Sequence, residues 1–509
     1  MANNAYDAAP YPDLSYVNTN PDRLAVMATL LGLSPAPVTS ARVLEIGCAG
    51  GGNLIPLAFA LPGAHFIGFD YSARQIEDGQ QRVRRLGMRN IELVCRDLTA
   101  VGDELGDFDY IIAHGVYSWV SRDVRDGLLA LIKRLLRPHG VAFVSYNTYP
   151  GWHITGIVRD VMLLRAREID DPAEKAQAAR ASLRFMAEHV ADTAYGAIFR
   201  SYNDFLQDGL KATSDAFLLH DELEETNDPV YFTQFVEHAE THGLQYLIEA
   251  ELREVLPHSF PSETQTALQQ TARSTLELEQ LMDFLRNRMF RQTLLVHDDA
   301  PVRRSLHPQP VMGLWARSWT QRADDAAGET PGAGQFTSKD GATLTTDHPV
   351  SIAALTQLGQ HWPRGLRFAE LLAGAKRSEF ARAHPPREPS GRGAAPDDVV
   401  LAANLLRGLG YSNQLVSLHS FHPALTTEVS EEPLASPVAR LEAAGRTVVT
   451  NLWHERVTLN PAQAALLPLV DGTRDRAGLA AALPTEHAVT VPELELHLRW
   501  LAHAGLLIG

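Results

Sequence analysis

The sequence predicts an α/β fold in which a doubly wound parallel sheet with a helical insertion is followed by a mostly helical C-terminal region. Two observations predict this fold. Five short apolar strands alternate with helix-period segments between residues 42 and 147, and such alternation is typical of a parallel sheet with helices on both faces. Two more strand-like segments, 245–252 and 291–297, follow a long helical stretch and suit the far edge of the same sheet.

Helices separate the predicted strands of the first half. The strands have the sequences ARVLEIG, HFIGFD, IELVCRD, DYIIAHG and VAFVSYN. Helices are predicted over 53–61, 72–86 and 125–136, where apolar residues recur with a helical period. The last helix is expected to stop at Arg137-Pro138-His139-Gly140, because this run contains helix-ending residues.

The rest of the chain changes in character twice. Residues 152–210, 231–242 and 262–286 predict helices with charged faces. From residue 301 onward, the Gly- and Pro-rich runs ADDAAGETPGAGQ and HPPREPSGRGAAPDD predict linkers around helices at 350–380 and 397–409.

The C-terminal segment has the order strand, helix, helix, helix, strand, which is that of a winged helix. Its last helix carries one arginine, Arg499, so contact with protein is favoured over contact with DNA. The predicted organisation is an N-terminal cap (1–40), a ligand-binding core (41–150), a helical insertion or regulatory region with late strands that complete the sheet (151–300), a linker-rich helical region (301–447) and a winged-helix-like domain (448–509).

Composition excludes several classes of protein. The 61 acidic and 45 basic residues give a net charge of -16, which disfavours nucleic acid and anionic lipid surfaces as partners. No run approaches the ~20 apolar residues that span a bilayer, so no membrane insertion is expected.

Cys48 and Cys95 lie in strand-like contexts without disulfide or metal spacing. A reducing, cytoplasmic location is therefore predicted, and no metal site.

A glycine-rich turn follows the first strand in VLEIGCAGGGN, residues 43–53. Glycines let the backbone approach a ligand closely, and the turn also loosely fits the dinucleotide fingerprint. The acidic residues near the strand ends distinguish a dinucleotide from a ligand without phosphates. Glu45 lies in the first strand, Asp70 ends the second and Asp97, followed by Leu98, ends the third. Three acids at neighbouring strand ends predict a nucleoside ligand without phosphates, and a positively charged sulfonium suits their charge.

The motifs VLEIGCAGGGN, GFD and CRDL resemble the cofactor-binding motifs of class I S-adenosylmethionine-dependent methyltransferases over about residues 40–150. The resemblance implies a Rossmann-like methyltransferase sheet and S-adenosylmethionine as cofactor, with S-adenosylhomocysteine as its product. Ala49 stands where the family usually has its middle glycine, and slightly reduced clearance is expected there. The expected cofactor-binding residues are Tyr6, Tyr11, Glu45, Gly47, Cys48, Ala49, Gly51, Asn53, Asp70, Tyr71, Asp97, Leu98 and His114.

A narrower resemblance covers most of the chain. The opening YDAAPYPDLSYVNTNPDRLAVMATLLG and the phrases HGVYSWV, YNTYPGWH, HDELEETNDPVYF and FRQTLLVH resemble methyltransferases that carry a methyltransferase regulatory domain. That group includes rickettsial enzymes that methylate lysines of outer-membrane proteins and end in a winged-helix-like domain. The resemblance implies methyl transfer, with Tyr6, Asp7 and Tyr11 in a lid over the cofactor.

Aromatic residues after the fourth and fifth strands are candidates for the acceptor pocket, because aromatic faces attract a lysine ammonium. His220 is a candidate proton acceptor. The alternative for the aromatic residues is core packing, and for His220 a structural role. Asp221, Glu222 and Glu224 are expected on an exposed helix face. The candidate catalytic residues are Tyr117, Trp119, Tyr146, Asn147, Tyr149 and His220.

The leading functional prediction is methyl transfer to a side chain of a protein or peptide, with lysine nitrogen favoured. Three alternatives stay open: a small-molecule methyltransferase, a non-catalytic protein that senses the cofactor, and a dehydrogenase. The expected partner is a protein or peptide acceptor or a small-molecule substrate, and a homodimer is left open.

Overall fold

The structure, a computed structural model, describes residues 10–207, 215–322, 333–384, 395–487 and 489–509. Tyr6 and Asp7 lie outside these ranges, as do most of the two predicted linkers. Among the described residues, no helix combines the length and the apolar character that crossing a membrane requires.

The predicted fold class is confirmed by a seven-stranded sheet with the order β3-β2-β1-β4-β5-β7-β6. Strands β1 to β5 run parallel, and β7 is antiparallel to both of its neighbours. Strand order reverses between β1 and β4, and ligands of open α/β sheets bind outside the carboxyl ends at such a point. The strands are β1 (Arg42–Ile46), β2 (His65–Asp70), β3 (Ile91–Cys95), β4 (Phe108–Ala113), β5 (Leu136–Asn147), β6 (Leu244–Glu249) and β7 (Phe290–His297).

Helices flank this sheet and form the insertion. Three insertion helices pack around a small core of their own that includes Val158, Leu183 and Phe199. A π-helical turn, Leu218–Glu222, follows them. The helices up to β7 are Pro21–Leu30, Leu54–Ala60, Ala73–Arg85, Arg122–Leu135, Gly151–Ala166, Pro172–His189, Ala194–Leu206, Phe232–Thr241, Ser262–Thr271 and Thr275–Arg286, with a short one at Asp215–Phe217.

Two predicted boundaries differ from the structure. The single helix expected over 262–286 is two helices, because the chain leaves the helix at Ala272 and the Ser274 side chain accepts from the backbone N–H of Glu277 to begin a new one. Strand β5 begins at Leu136, directly after the preceding helix, whereas the predicted strand VAFVSYN begins at Val141.

The region after β7 contains small sheets that the sequence did not predict. Strands Gln321–Arg322, Gly334–Thr337 and Thr343–Thr346 form one sheet, and Trp315–Arg317, Leu366–Arg367 and Ser417–His419 form another. The helices of this region are Pro349–His361, Phe368–Arg377, Glu379–Ala383 and Asp397–Tyr411.

The C-terminal unit has its own apolar core. Strands Val448–Thr450 and Arg456–Thr458 pair antiparallel, and we call residues 448–458 the wing hairpin. The helix Pro437–Ala443, upstream of residue 448, contributes Ala439 to the same core. Its other helices are Pro461–Leu466, Arg476–Ala482 and Val491–His503.

Candidate functional site

A pocket of about 440 Å³ opens at the carboxyl ends of β1 to β4. Its walls come from these strand ends, from residues 11–16 and from the π-helical turn of the insertion. The sequence-predicted residues that line it are Tyr11, Glu45, Gly47, Cys48, Ala49, Asn53, Asp70, Tyr71, Asp97, Leu98, His114, Trp119 and His220. The topology therefore brings together residues that are up to 209 positions apart along the chain (220 − 11).

The turn after β1 has left-handed backbone at Gly47, Ala49 and Gly51, with φ of 73°, 48° and 77°. This conformation aims the backbone N–H of Ala49 at Asp70 Oδ2, 2.8 Å away. A Cβ atom on Gly47 would lie 2.8 Å from a methyl carbon of Val116, so glycine is required there. Gly51 does not line the pocket, but its left-handed backbone shapes the turn.

Glu45 is buried in the pocket wall. Asn53 Nδ2 donates to Glu45 Oε1 over 2.8 Å, whereas Oε2 is buried without a hydrogen-bond partner among the described residues. Burial raises the pKa of Glu45 to about 8, and the charges of Asp70 and Asp13 add to the effect against the Asn53 hydrogen bond. A buried carboxyl oxygen of this kind fits a ligand with an ammonium or sulfonium group.

Asp70 and Asp97 differ in their surroundings. Asp70 Oδ1 accepts from the backbone N–H of Ser72 over 2.8 Å, and burial raises its pKa against the hydrogen bonds from Ser72 and Ala49. Asp97 is exposed, and its Oδ1 accepts from the N–H of Thr99. Both carboxylates face the pocket and can accept hydrogen bonds from a nucleoside ligand.

The N-terminal segment supplies two pocket residues that the sequence analysis missed, Asp13 and Tyr16. Asp13 pairs with Arg82 and accepts from the N–H of Gly52 over 3.3 Å. The Tyr16 ring lies 4.1 Å from that of His114. Burial lowers the pKa of His114 to about 4, so its imidazole is neutral at neutral pH.

The insertion closes the pocket with His220 and Asp221. Asp221 lines the pocket instead of an exposed helix face, and Tyr11 Oη donates to its Oδ1 over 3.4 Å. His220 is buried, with its ring 5.9 Å from that of Tyr11 and its Nδ1 3.9 Å from Glu224. Glu222 is buried as well. The π-helical turn explains the difference, because it changes which side chains face inward.

Two predicted acceptor residues, Tyr117 and Tyr146, are core residues that do not line the pocket. The Tyr146 ring stacks on Phe235 at 4.0 Å and its hydroxyl lies 3.1 Å from that of Thr293. The Tyr117 hydroxyl lies 2.8 Å from His238 Nδ1. Side chains alternate between the faces of a strand, and the alternation in β5 carries Tyr146 into the core cluster.

Asn147 and Tyr149 also lie outside the pocket lining. Asn147 is buried and donates from Nδ2 to Asn227 Oδ1 over 2.9 Å. Tyr149 is half-buried and stacks on His153 with ring centroids 4.0 Å apart. Of the predicted acceptor residues, the structure thus brings Trp119 and His220 to the pocket.

The wing hairpin supports the pocket from the C-terminal unit. His454 is buried, with φ of 66°, and donates from Nε2 to Asn53 Oδ1 over 2.8 Å. Asn53 Oδ1 also accepts from the backbone N–H of Tyr16 over 2.9 Å. Burial lowers the pKa of His454 to about 3, so its ring is neutral. A continuous hydrogen-bond chain therefore runs from His454 through Asn53 to Glu45.

Family models match three parts of the chain. A "methyltransferase domain" matches residues 43–140, a "predicted methyltransferase regulatory domain" matches 214–297, and a "PKMT, C-terminal winged helix domain" matches 431–496. These regions contain the pocket turn, the π-helical turn and the wing hairpin.

One solved structure and two curated relatives are similar to this chain. A structure of PKMT2 from Rickettsia typhi in complex with AdoHcy is 25% identical with a TM-score of 0.82, and the match covers 98% of this chain and 100% of PKMT2. An uncharacterized protein of Rickettsia prowazekii is 38% identical over 60% of this chain and 55% of its own length. The chain thus spans about half the length of that relative. A second uncharacterized protein of the same organism is 35% identical over 48% of this chain and 96% of its own length.

Proposed function

Because the chain belongs to the class I S-adenosylmethionine-dependent methyltransferases that carry a methyltransferase regulatory domain, we propose that it methylates the side-chain nitrogen of lysine in a protein or peptide. The likeness to PKMT2 along the whole chain supports this proposal, since PKMT is a usual abbreviation of protein lysine methyltransferase. S-adenosylmethionine supplies an electrophilic methyl group on a sulfonium.

The observation that carries the proposal is the charge of the pocket. Among the described residues of its lining, acidic residues outnumber basic ones, with Arg96 as the one arginine and with no lysine. An anionic pocket attracts both a sulfonium and a lysine ammonium. The acidic lining residues are Asp13, Glu45, Asp70, Asp97 and Asp221.

Tyr11, Trp119, His220 and Asp221 form the acceptor side in this proposal. A lysine amine has an ordinary pKa of about 10.4 and must lose a proton before it attacks the methyl group. Burial and the nearby Asp221 carboxylate raise the pKa of Tyr11, so its hydroxyl stays protonated. Tyr11 therefore orients the lysine amine, and Trp119 offers an aromatic face for the ammonium form. The proton that the amine loses passes to Asp221 or His220.

The test is to incubate the protein with S-adenosylmethionine that carries a tritiated methyl group and with a fractionated cell lysate. We expect label in acid-precipitable protein that survives base treatment and is recovered as methyllysine after hydrolysis. Label confined to small molecules would contradict the proposal and favour a small-molecule methyltransferase. Cofactor binding without any labelled product would favour a sensor.

A pair of variants ties the activity to the acceptor side. Asp221→Asn keeps the size of the side chain and removes its charge, so we expect a lower kcat/KM for the labelled protein with little change in cofactor affinity. Asp204→Asn, at an exposed position of the same insertion, is the matched control. Equal loss in both variants would show that Asp221 has no special role.

A further inference from the structure

A cluster of possible metal ligands lies outside the cofactor pocket. Asp126, His238 and His242 each offer one possible ligand atom, and these atoms all lie within 4.8 Å of one another. Asp126 belongs to the helix after β4, whereas His238 lies in the helix Phe232–Thr241 and His242 ends it. No metal cluster was evident in the sequence, because Asp126 and His238 are 112 residues apart.

The spacing of the two histidines places them on one face of a helix. Residues four apart lie one turn from each other, and the two rings are 5.2 Å apart between centroids. Asp126 Oδ1 is 2.6 Å from His238 Nε2 and 3.8 Å from His242 Nε2. In a tetrahedral zinc site, donor atoms lie about 3.3 Å apart. Binding of an ion would therefore need small shifts of these side chains, and the Asp126 side chain, which is 61% exposed, has room to move.

Tyr117 fixes the orientation of His238. Its hydroxyl lies 2.8 Å from His238 Nδ1, which leaves Nε2 directed at Asp126. Histidines that bind metals usually hydrogen-bond through their second ring nitrogen, and this bond sets the ring orientation. The Tyr117 ring is itself held by an edge contact with Phe235 and by the Arg125 guanidinium 4.9 Å above it.

We propose that Asp126, His238 and His242 form a binding site for a divalent transition metal of the zinc type. Two imidazole nitrogens and one carboxylate oxygen suit Zn²⁺, whereas Mg²⁺ and Ca²⁺ prefer sites built from oxygen alone. The ion would join the helix after β4 to the helix of the regulatory region. Tyr117 precedes Trp119 by two residues, so the site adjoins the loop that lines the cofactor pocket.

The test is a calorimetric titration of the chelator-treated full chain with Zn²⁺. We expect one ion per chain, at least tenfold weaker binding in both His242→Ala and Asp126→Asn, and unchanged binding in His189→Ala. His189 is the matched control, since it is an exposed histidine at the end of another helix. Zn²⁺ should also raise the melting temperature of the wild type but not of His242→Ala.

Three outcomes overturn the proposal. They are the absence of saturable Zn²⁺ binding to the wild type, full binding in His242→Ala, and loss of binding in His189→Ala. Asp126→Asn keeps the inference testable if His242→Ala fails to fold, because Asp126 is largely exposed. Tyr117→Phe should weaken binding roughly 10- to 100-fold if Tyr117 positions His238, and unchanged affinity would exclude that role.

Discussion

At the scale of the residue, Glu45 is an acidic side chain that is buried in the pocket wall. Its carboxyl group is buried beside Asp70 and Asp13 and has one hydrogen-bond donor, Asn53. A raised carboxyl pKa means that the folded protein holds a proton that the unfolded chain releases. The free energy of unfolding therefore falls as pH rises from the ordinary pKa of 4.5 to about 8.

Replacing Glu45 with Gln should separate stability from cofactor affinity. Without cofactor, Glu45→Gln should be more stable than the wild type above pH 8, because the buried charge is gone. The ammonium group of S-adenosylhomocysteine favours the ionised form of Glu45, so wild-type affinity for this ligand should strengthen by up to about tenfold for each pH unit approaching 8. Scanning and titration calorimetry at several pH values measure the stability and the ligand affinity of both proteins. If the affinity of Glu45→Gln depends on pH as that of the wild type does, Glu45 is not the group that titrates.

Ala49 has left-handed backbone, with φ of 48°. A non-glycine residue in left-handed backbone is destabilised by roughly 1 kcal/mol, so Ala49→Gly should raise the free energy of unfolding by about that amount. Gly51→Ala should lower it by more, because its Cβ would also lie 3.0 Å from Leu93 Cδ1. Urea unfolding of both variants measures the two changes, which should have opposite signs.

Local pattern predicted the strand-end acids but not the residues that cover them. Glu45, Asp70 and Asp97 each follow from the position of a strand end. Asp13 and Asp221 are brought to the pocket by segments far away in sequence, and Asp221 depends on a π-helical turn that has no clear sequence signal. The aromatic character of Tyr117 and Tyr146 could not distinguish a pocket wall from a core.

At the scale of the element, β7 is anchored by a buried ion cluster around Arg291. Its guanidinium lies 3.0 Å from Glu249 of β6, and 3.1 Å and 2.9 Å from Glu279 and Asp283 of the helix before β7. Arg291 also lies 3.6 Å from the ring centroid of Phe232. The cluster fixes the edge of the sheet to its neighbouring helices.

Removing the centre of this cluster should destabilise the sheet edge strongly. Arg291→Met leaves three buried carboxyl groups without their shared partner, which should lower the free energy of unfolding by about 3–5 kcal/mol. Arg122→Met is the control, because Arg122 is exposed and 3.8 Å from Asp228, and less than about 1 kcal/mol should be lost there. Chemical denaturation gives both values, and similar losses would refute the special role of Arg291.

Elements with a regular apolar period were predicted well. All seven strands of the main sheet follow from it, whereas the break at Ala272 depends on one capping serine, Ser274. The short strands between 315 and 419 contain two to four residues each. Such strands are too short for an alternation of apolar and polar residues to be recognised in the sequence. Pairing with distant partners, not local pattern, defines them.

At the scale of the whole molecule, the C-terminal unit contacts the pocket at the carboxyl ends of β1 to β4. The wing hairpin reaches Asn53 through His454, and Thr450 Oγ1 lies 3.1 Å from Ser15 Oγ. The unit thus contacts both the turn after β1 and the segment that covers the pocket. Sequence predicted a winged-helix-like unit, but its contact with the pocket joins residues 401 positions apart and has no local signal.

A change in the wing hairpin should therefore alter cofactor binding. His454→Ala removes one hydrogen bond to Asn53, and we expect roughly two- to tenfold weaker affinity for S-adenosylhomocysteine. Arg499→Ala, at a side chain that is 67% exposed in the same unit, should leave the affinity unchanged. Calorimetric titration compares the two, and wild-type affinity in His454→Ala would show that the hairpin does not support the pocket.

The hydrogen bond between His454 and Asn53 also bears on the order of synthesis. Ribosomes make the turn after β1 early and the wing hairpin 401 residues later. A nascent chain that has already formed the parallel sheet still lacks the hydrogen bond from His454 to Asn53. We therefore expect full cofactor affinity to be acquired late in translation, once the wing hairpin has been made.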